Sequence, residues 1–254
     1  MEPEHPTKLP FRAWGTKGFQ FWTLLSVLLK AARPQAILEL GCGRSSTFFA
    51  DYAYANDATY IGIENDVRWF NKLELDIALL GFGKRHLEHV ALAPDGSWYD
   101  LDQFRAASGN PGQFDFAFID GPNERRFFTS EADIAARFPP EDGNPFGHRD
   151  DPGGLEAIKS VTRDCNVMIV YDVHKAHVFL TIDRMLADPA DYRKYYFVYQ
   201  PHPASTNGLC ICLKQTSPLV ERLPAILDFL DVRLENHYKP ADKRSVFRRF
   251  FQLG

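Results

Sequence analysis

Cysteine is scarce in this chain, four residues in 254, which excludes a disulfide scaffold. Cys42 and Cys165 stand alone. Cys210 and Cys212 alternate within an apolar run, so on a strand they would share one face and pack there. No pair has a partner pair at metal-binding spacing, which removes a structural zinc site. Long apolar runs are missing too. The longest, Phe19 to Ala32, contains Gln20 and Lys30 and is shorter than the roughly 20 residues a membrane-spanning helix needs. Nor is there a surplus of positive charge: 29 basic residues face 33 acidic ones, a formal net of −4. A protein that grips nucleic acid irrespective of sequence needs the opposite balance, because Lys and Arg must displace counterions from phosphates. The opening residues, Met1 to His5, have neither the basic nor the apolar region of a secretory leader. These absences lead us to expect a cytoplasmic protein with no membrane segment and no nucleic-acid partner.

What is present is a globular composition, 45% hydrophobic with 21 Phe and 10 Tyr, enough to build one large core. From residue 18 onward helical and strand patterns alternate. Phe19 to Ala32 reads as a buried helix ended by Arg33 and Pro34. Ile37 to Leu40 is a short strand running into the turn Gly41-Cys42-Gly43, after which Ser45 or Ser46 can cap a helix carrying Phe48, Phe49 and Tyr52. Thr59 to Ile63 is a second strand, stopping at Glu64, and Asp66 caps a helix with Trp69, Phe70, Leu73 and Ile77 on its apolar face. Strands follow at Leu87 to Leu92, Phe114 to Ile119 and Val167 to Tyr171, with helices at Leu155 to Asp164 and Ala176 to Ala187. This rhythm predicts an α/β fold with a doubly wound, mostly parallel sheet, since parallel strands need crossovers and the helices cover both faces.

The end of the chain breaks the rhythm. Tyr195 to Tyr199 and Leu209 to Leu213 are strands with no helix-length segment between them, so they are expected to run antiparallel. A late helix at Leu219 to Leu230 leads into a tail with a basic cluster, Lys243, Arg244, Arg248 and Arg249, interleaved with Val246, Phe247, Phe250 and Phe251. That spacing suits an amphipathic helix docked on the body or on another subunit. Residues 121–154, rich in Pro, Gly and charge, are too long for a plain strand-to-helix connection and read as an insertion beside a ligand crevice.

Ligands of an open parallel sheet bind beyond the carboxyl ends of its strands. The polar residues fall there: Glu39 with the turn from Gly41 to Ser46, then Glu64, then Asp120, then Asp172 and His174. Glycines let backbone turn closely under a ligand, and the N–H groups of the helix that follows can meet a carboxylate or phosphate. Glu64, at the end of the neighbouring strand, could accept both hydroxyls of a ribose. A dinucleotide site would use the same parts, but Ser46 stands where its third glycine belongs.

The run Ile37-Leu38-Glu39-Leu40-Gly41-Cys42-Gly43 resembles motif I of the class I S-adenosylmethionine-dependent methyltransferases. Tyr60 to Glu64 is similar to the ribose-binding strand of that family, and Phe114 to Gly121 resembles its motif IV. The likeness extends in order and rhythm over residues 35 to 215, including the antiparallel finish. It implies a Rossmann-like methyltransferase fold, a seven-stranded sheet with an antiparallel last strand, in one domain spanning residues 1–254. An N-terminal helical segment at 1–34, the insertion at 121–154 and a helical tail at 218–254 would decorate it. The implied cofactor is S-adenosyl-L-methionine. Glu39 and Gly41 would face its methionine end with Cys42 and Gly43 in the turn, Arg44, Ser45 and Ser46 its carboxylate, and Glu64 its ribose. Asp95 would approach the adenine, Trp98 or Tyr99 would stack on it, and Asp120 would stand near the sulfonium and the acceptor.

Within the family the pattern is closest to the small-molecule O-methyltransferases, which implies transfer to a small polar acceptor at oxygen, with His174 or Asp120 as the base. The metal-dependent members carry a pair of acid or amide residues after strand five, and here Val173 occupies the second position. Asp120, Asp172 and His174 could still hold a divalent metal, which is not expected with a ligand missing. Asp172 could instead simply cap the helix that follows it. Three rivals share parts of the pattern. They are an NAD(P)-dependent oxidoreductase, an RNA or protein methyltransferase, and a non-catalytic binding module on the same fold. A homo-oligomer is compatible with the amphipathic tail.

Overall fold

The computed structural model describes residues 17–81, 86–94, 99–109, 112–122, 160–171, 191–202 and 205–229. Helix α1 (Lys17–Ala32) ends where Arg33 swings to φ +51°, a left-handed conformation that turns its N–H back onto the Leu29 carbonyl at 2.8 Å. Then come β1 (Ala36–Leu40), α2 (Arg44–Ala55), β2 (Thr59–Glu64), α3 (Val67–Leu79) and β3 (His86–His89). After these follow α4 (Leu101–Ser108), β4 (Phe116–Ile119), β5 (Val167–Tyr171), β6 (Tyr192–His202), β7 (Ser205–Lys214) and α5 (Leu219–Phe229).

The strands form one seven-stranded sheet in the order β3-β2-β1-β4-β5-β7-β6. β1 to β5 are parallel, β7 pairs antiparallel with β5, and β6 pairs antiparallel with β7. The sheet carries a core on each face. Ile37, Tyr60, Phe118 and Ile169 turn to one side, where Leu25 and Leu28 of α1, Phe49 of α2 and Leu223 of α5 cover them. Leu38, Leu40, Ile63, Met168 and Val170 turn to the other, under Phe104 of α4 and Val161. Phe49 sits at the centre of the first layer, its ring 5.5 Å from Phe118 and 6.0 Å from Phe116.

Several elements differ from the sequence reading. Helix α4 lies in a stretch that the periodicity left unassigned: it has only eight residues and buries only Phe104 and Ser108, too few positions for a helical repeat to show. Asp100 caps it by accepting the Gln103 N–H at 3.0 Å. Strand β3 stops at His89, and Leu92 instead makes an isolated antiparallel bridge to Tyr99. β4 begins at Phe116, because the Asp115 carboxylate is spent on the N–H groups of Gln35 and Ala36 at the opposite end of β1. The hairpin of β6 and β7 is longer than the apolar runs that announce it, since mutual pairing carries it on through polar residues to His202 and Ser205. Cys210 and Cys212 share a face as expected, their sulfurs 3.6 Å apart in the core. Of the helix read at Leu155 to Asp164, residues 160–162 are described and helical. The helix at Ala176 to Ala187, the insertion beyond Pro122 and the basic cluster of the tail lie outside the described residues.

Candidate functional site

The strand order reverses between β1 and β4, and the crevice of an open sheet opens at such a switch point. The chain leaves β1 through Gly41, whose φ of +79° is open to glycine and costly for other residues. A side chain there would also strike backbone: its Cβ would lie 2.6 Å from the Asp120 carbonyl carbon and from Gly121 Cα. Gly121 is bound by the reciprocal limit, its Cβ position 2.5 Å from Gly41 Cα. The two turns that follow β1 and β4 are therefore in backbone contact. The Gly41 N–H donates to the Ile63 carbonyl at 2.9 Å and the Asp120 N–H to the Leu40 carbonyl at 2.7 Å, which fixes both turns to the sheet.

Gly43 is different. Its backbone is extended, and the nearest atom to a Cβ built on it is Ser45 Oγ at 3.9 Å. Among the described residues nothing forbids a side chain at Gly43, and none fills the space before it. That space adjoins the first turn of α2, whose leading N–H groups have no intrahelical carbonyl to bond.

Helix α2 starts at Arg44 with Gly43 as its N-cap, which corrects the expectation that Ser45 or Ser46 would cap it. The turn is so short that both serines fall inside the first helical turn and face inward. Ser45 Oγ donates to Glu39 Oε1, and Ser46 Oγ accepts the Gly43 N–H at 2.9 Å. Arg44 is exposed at the mouth.

Glu39 is fully buried on the α1–α2 side of β1. Its second oxygen accepts the hydroxyl of Tyr60 from β2. Burial pushes its carboxyl up to about 7, with the hydroxyls of Ser45, Tyr60 and Ser46 pulling the other way and Glu64 adding a smaller upward push. Its side chain thus joins the helix that follows the glycine turn, through Ser45, to β2, through Tyr60. Cys42, almost buried, has its thiol held protonated by burial and by the nearby Glu39 and Glu64.

Glu64, 6% exposed at the end of β2, accepts the Asn65 N–H at 2.8 Å and the Asp66 N–H at 2.7 Å on one oxygen. Burial raises its carboxyl, opposed by the N–H groups of Asp66, Asn65 and Cys42. Asp66 caps α3 as expected, accepting the N–H groups of Arg68 and Trp69. Trp69 Nε1 in turn donates to the Cys42 carbonyl at 2.6 Å, tying α3 to the glycine turn.

The structure therefore brings Glu39, the turn from Gly41 to Ser46, Glu64 and Asp120 to one edge of the sheet. Asp120 is exposed there. Tyr99 corrects an expectation: it is fully buried, stacks on Phe104 at 5.9 Å and donates to the Ile63 carbonyl at 3.3 Å, so its ring belongs to the core and offers no adenine platform. Asp95, Trp98, Asp172 and His174 lie outside the described residues, and with them two of the three proposed metal ligands. Among the described residues no group of three His, Cys, Asp or Glu side chains could hold a metal ion, and no helix is long and apolar enough to cross a membrane. Sequence reasoning passed over Tyr60, Gly62 and Trp69 as site residues. The signal for the first two was a large side chain followed two residues later by glycine on the same strand face, the pattern of a ring lying across a missing side chain.

No protein-family model matches the chain, and no curated protein matches it. Solved structures do. An O-methyltransferase from Bacillus cereus, in complex with S-adenosylhomocysteine (SAH), is 13% identical with a TM-score of 0.50, over 85% of this chain and 93% of its own. A precorrin-6y C5,15-methyltransferase from Geobacter metallireducens is 15% identical over 75% and 87% of the two chains, with a TM-score of 0.45. A methyltransferase from Pyrococcus furiosus is 13% identical over 78% and 83%, with a TM-score of 0.46. The parallel strands, the switch point between β1 and β4 and the antiparallel β7, together with the likeness to the Bacillus cereus structure, define the fold. It is the Rossmann-like fold of the class I S-adenosylmethionine-dependent methyltransferases.

Proposed function

We propose that the chain is an S-adenosylmethionine-dependent methyltransferase that acts on a small polar acceptor at oxygen. The observation that carries this reading is the contrast between the two glycines of the turn. Gly41 is required by the fold, whereas at Gly43 the described residues leave a space that a bound molecule would fill, beside a carboxylate, Glu64, already oriented by two backbone N–H groups. A glycine without an internal reason, next to a fixed acceptor pair at the end of the adjacent strand, fits the ribose and amino-acid ends of the adenosyl cofactor. A bound cofactor of this kind supplies a methyl group activated on a sulfonium.

The chain's own residues would do the rest. Glu64 accepts the ribose hydroxyls, and the first N–H groups of α2 with Arg44 meet the carboxylate. Asp120 stands where the acceptor approaches. Holding acceptor and methyl donor in line supplies much of the acceleration, and a base removes the acceptor's proton. His174 is assigned that base, since imidazole titrates near neutrality and the residue follows β5 by three positions. The reading includes no nucleic-acid or membrane partner, metal-free chemistry and a cytoplasmic setting.

Calorimetric titration of the purified protein with S-adenosylmethionine and SAH, with NAD and NADP as controls, tests it. The first pair is expected to bind and the second not. Glu64→Ala should weaken binding on the order of 100-fold, through loss of hydrogen bonds to a charged acceptor. Binding of a nicotinamide cofactor alone would overturn the assignment.

A further inference from the structure

Resting on that reading, we infer that Tyr60, Ser45 and Ser46 form with Glu39 a buried, proton-linked strut under the glycine turn, so that the protein's grip on the adenosyl cofactor is released when Glu39 takes up a proton. Tyr60, Ser45 and Ser46 are positioning residues in this account, acting through side chains that touch no ligand.

The geometry carries the argument. Glu39 is fully buried, and its two oxygens accept the hydroxyls of Ser45 and Tyr60. The Ser46 hydroxyl also stabilises the carboxylate, while its oxygen accepts the Gly43 N–H at 2.9 Å. Ser45, in the first turn of α2, therefore connects the charge of Glu39 to the helix end that borders the site. Tyr60 reaches Glu39 only because Gly62, its register partner on β2, has no side chain. A Cβ at Gly62 would collide with the Tyr60 hydroxyl and lie 2.8 Å from Cys42 Sγ. The titratable groups coupled to Glu39 are Tyr60 and Glu64 from β2, Cys42 from the turn and Tyr99 from the segment before α4. All four are acids, so none of them neutralises the carboxylate, and among the described residues its hydrogen-bond donors are hydroxyls.

The sign follows. An ionised Glu39 accepts from the hydroxyls of Ser45 and Tyr60, one on each oxygen, whereas a protonated one must donate through one oxygen, so the donors around it have to rearrange. Ligand binding is thus linked to loss of a proton from a group whose carboxyl is raised to about 7 by burial, and affinity rises with pH through that value.

SAH is the probe, titrated calorimetrically from pH 5.5 to 8.5 into the full chain, with near-ultraviolet circular dichroism confirming the fold at each pH. Wild type should bind about tenfold more tightly at pH 8 than at pH 6, the span of one linked proton. Tyr60→Phe removes a donor that stabilises the carboxylate, so its midpoint should move to higher pH. Ser46→Ala should move it the same way and serves as an independent reading if Tyr60→Phe does not fold. Glu39→Gln should bind weakly and without this pH dependence. An unmoved midpoint in the folded Tyr60 or Ser46 variant, or a wild-type slope in Glu39→Gln, sinks the strut and leaves the cofactor assignment standing. A wild type that binds no SAH at any pH overturns the assignment and the strut with it.

Discussion

Gly41 and Gly43 stand two residues apart and would answer substitution in opposite ways. At Gly41 an alanine meets both a φ of +79° and the backbone of Asp120 and Gly121 at 2.6 Å, and neither neighbour is a side chain that can swing away. Gly41→Ala should destabilise the fold by about 3 kcal/mol, read as a shifted urea midpoint. At Gly43 the conformation is extended and the described residues leave the space open, so Gly43→Ala should cost no more than about 1 kcal/mol, the penalty for alanine at an N-cap. Its affinity for SAH should nonetheless fall at least tenfold, because the added methyl occupies the ligand's place. Equal stability losses at the two positions would show that Gly43 is a packing residue. The sequence motif names both glycines alike. The backbone that excludes a side chain at Gly41 belongs to Asp120 and Gly121 after β4, and no such backbone stands at Gly43 among the described residues.

Among the elements, α4 does the most with the least pattern. Phe104, fully buried, stacks on Tyr99, and Tyr99 in turn hydrogen-bonds the end of β2 and packs toward Gly121. This short helix therefore backs the turn after β4 from the face opposite α1 and α2. Phe104→Ala should cost about 3–5 kcal/mol for the buried ring and cavity. If the variant stays folded, SAH affinity should drop as well, because Tyr99 loses the ring that holds it against the turn. Unchanged affinity at reduced stability would confine α4 to a core role. Its eight residues carry too few apolar positions for periodicity to reveal them, although the requirement for a crossover between the parallel strands β3 and β4 points to something of this kind.

For the whole molecule, the proposed cofactor site at the switch point would link binding to folding. Residues from β1, α2, β2 and the turn after β4 meet at the sheet edge only in the folded chain, so a ligand held there binds the native state and not the unfolded one. SAH at 100 times its dissociation constant should add about 2.7 kcal/mol and raise Tm by about 5–10 °C for a chain of this size. A Tm unchanged by SAH but raised by NAD would move the molecule to the dinucleotide-binding class. The two-faced core explains why the sheet itself should melt as a unit, since each parallel strand contributes side chains to both layers.

The sequence alone determined the order of the strands, the antiparallel finish, the glycine turn after β1 and the carboxylates at the ends of β2 and β4. These are local properties: hydrophobic period, turn residues and charge type read correctly without knowing what lies across the sheet. Tertiary structure decided what those residues do. Glu39 reads as one more carboxylate near a strand end, and only the register that sets it opposite Gly62 brings the Tyr60 hydroxyl onto it. Ser45 and Ser46 read as caps until the turn proves short enough to draw them inside the helix. Tyr99 reads as a stacking surface until Phe104 covers it. In each case the deciding partner is distant in the chain or on another element, and only strand pairing and packing fix which way a side chain points.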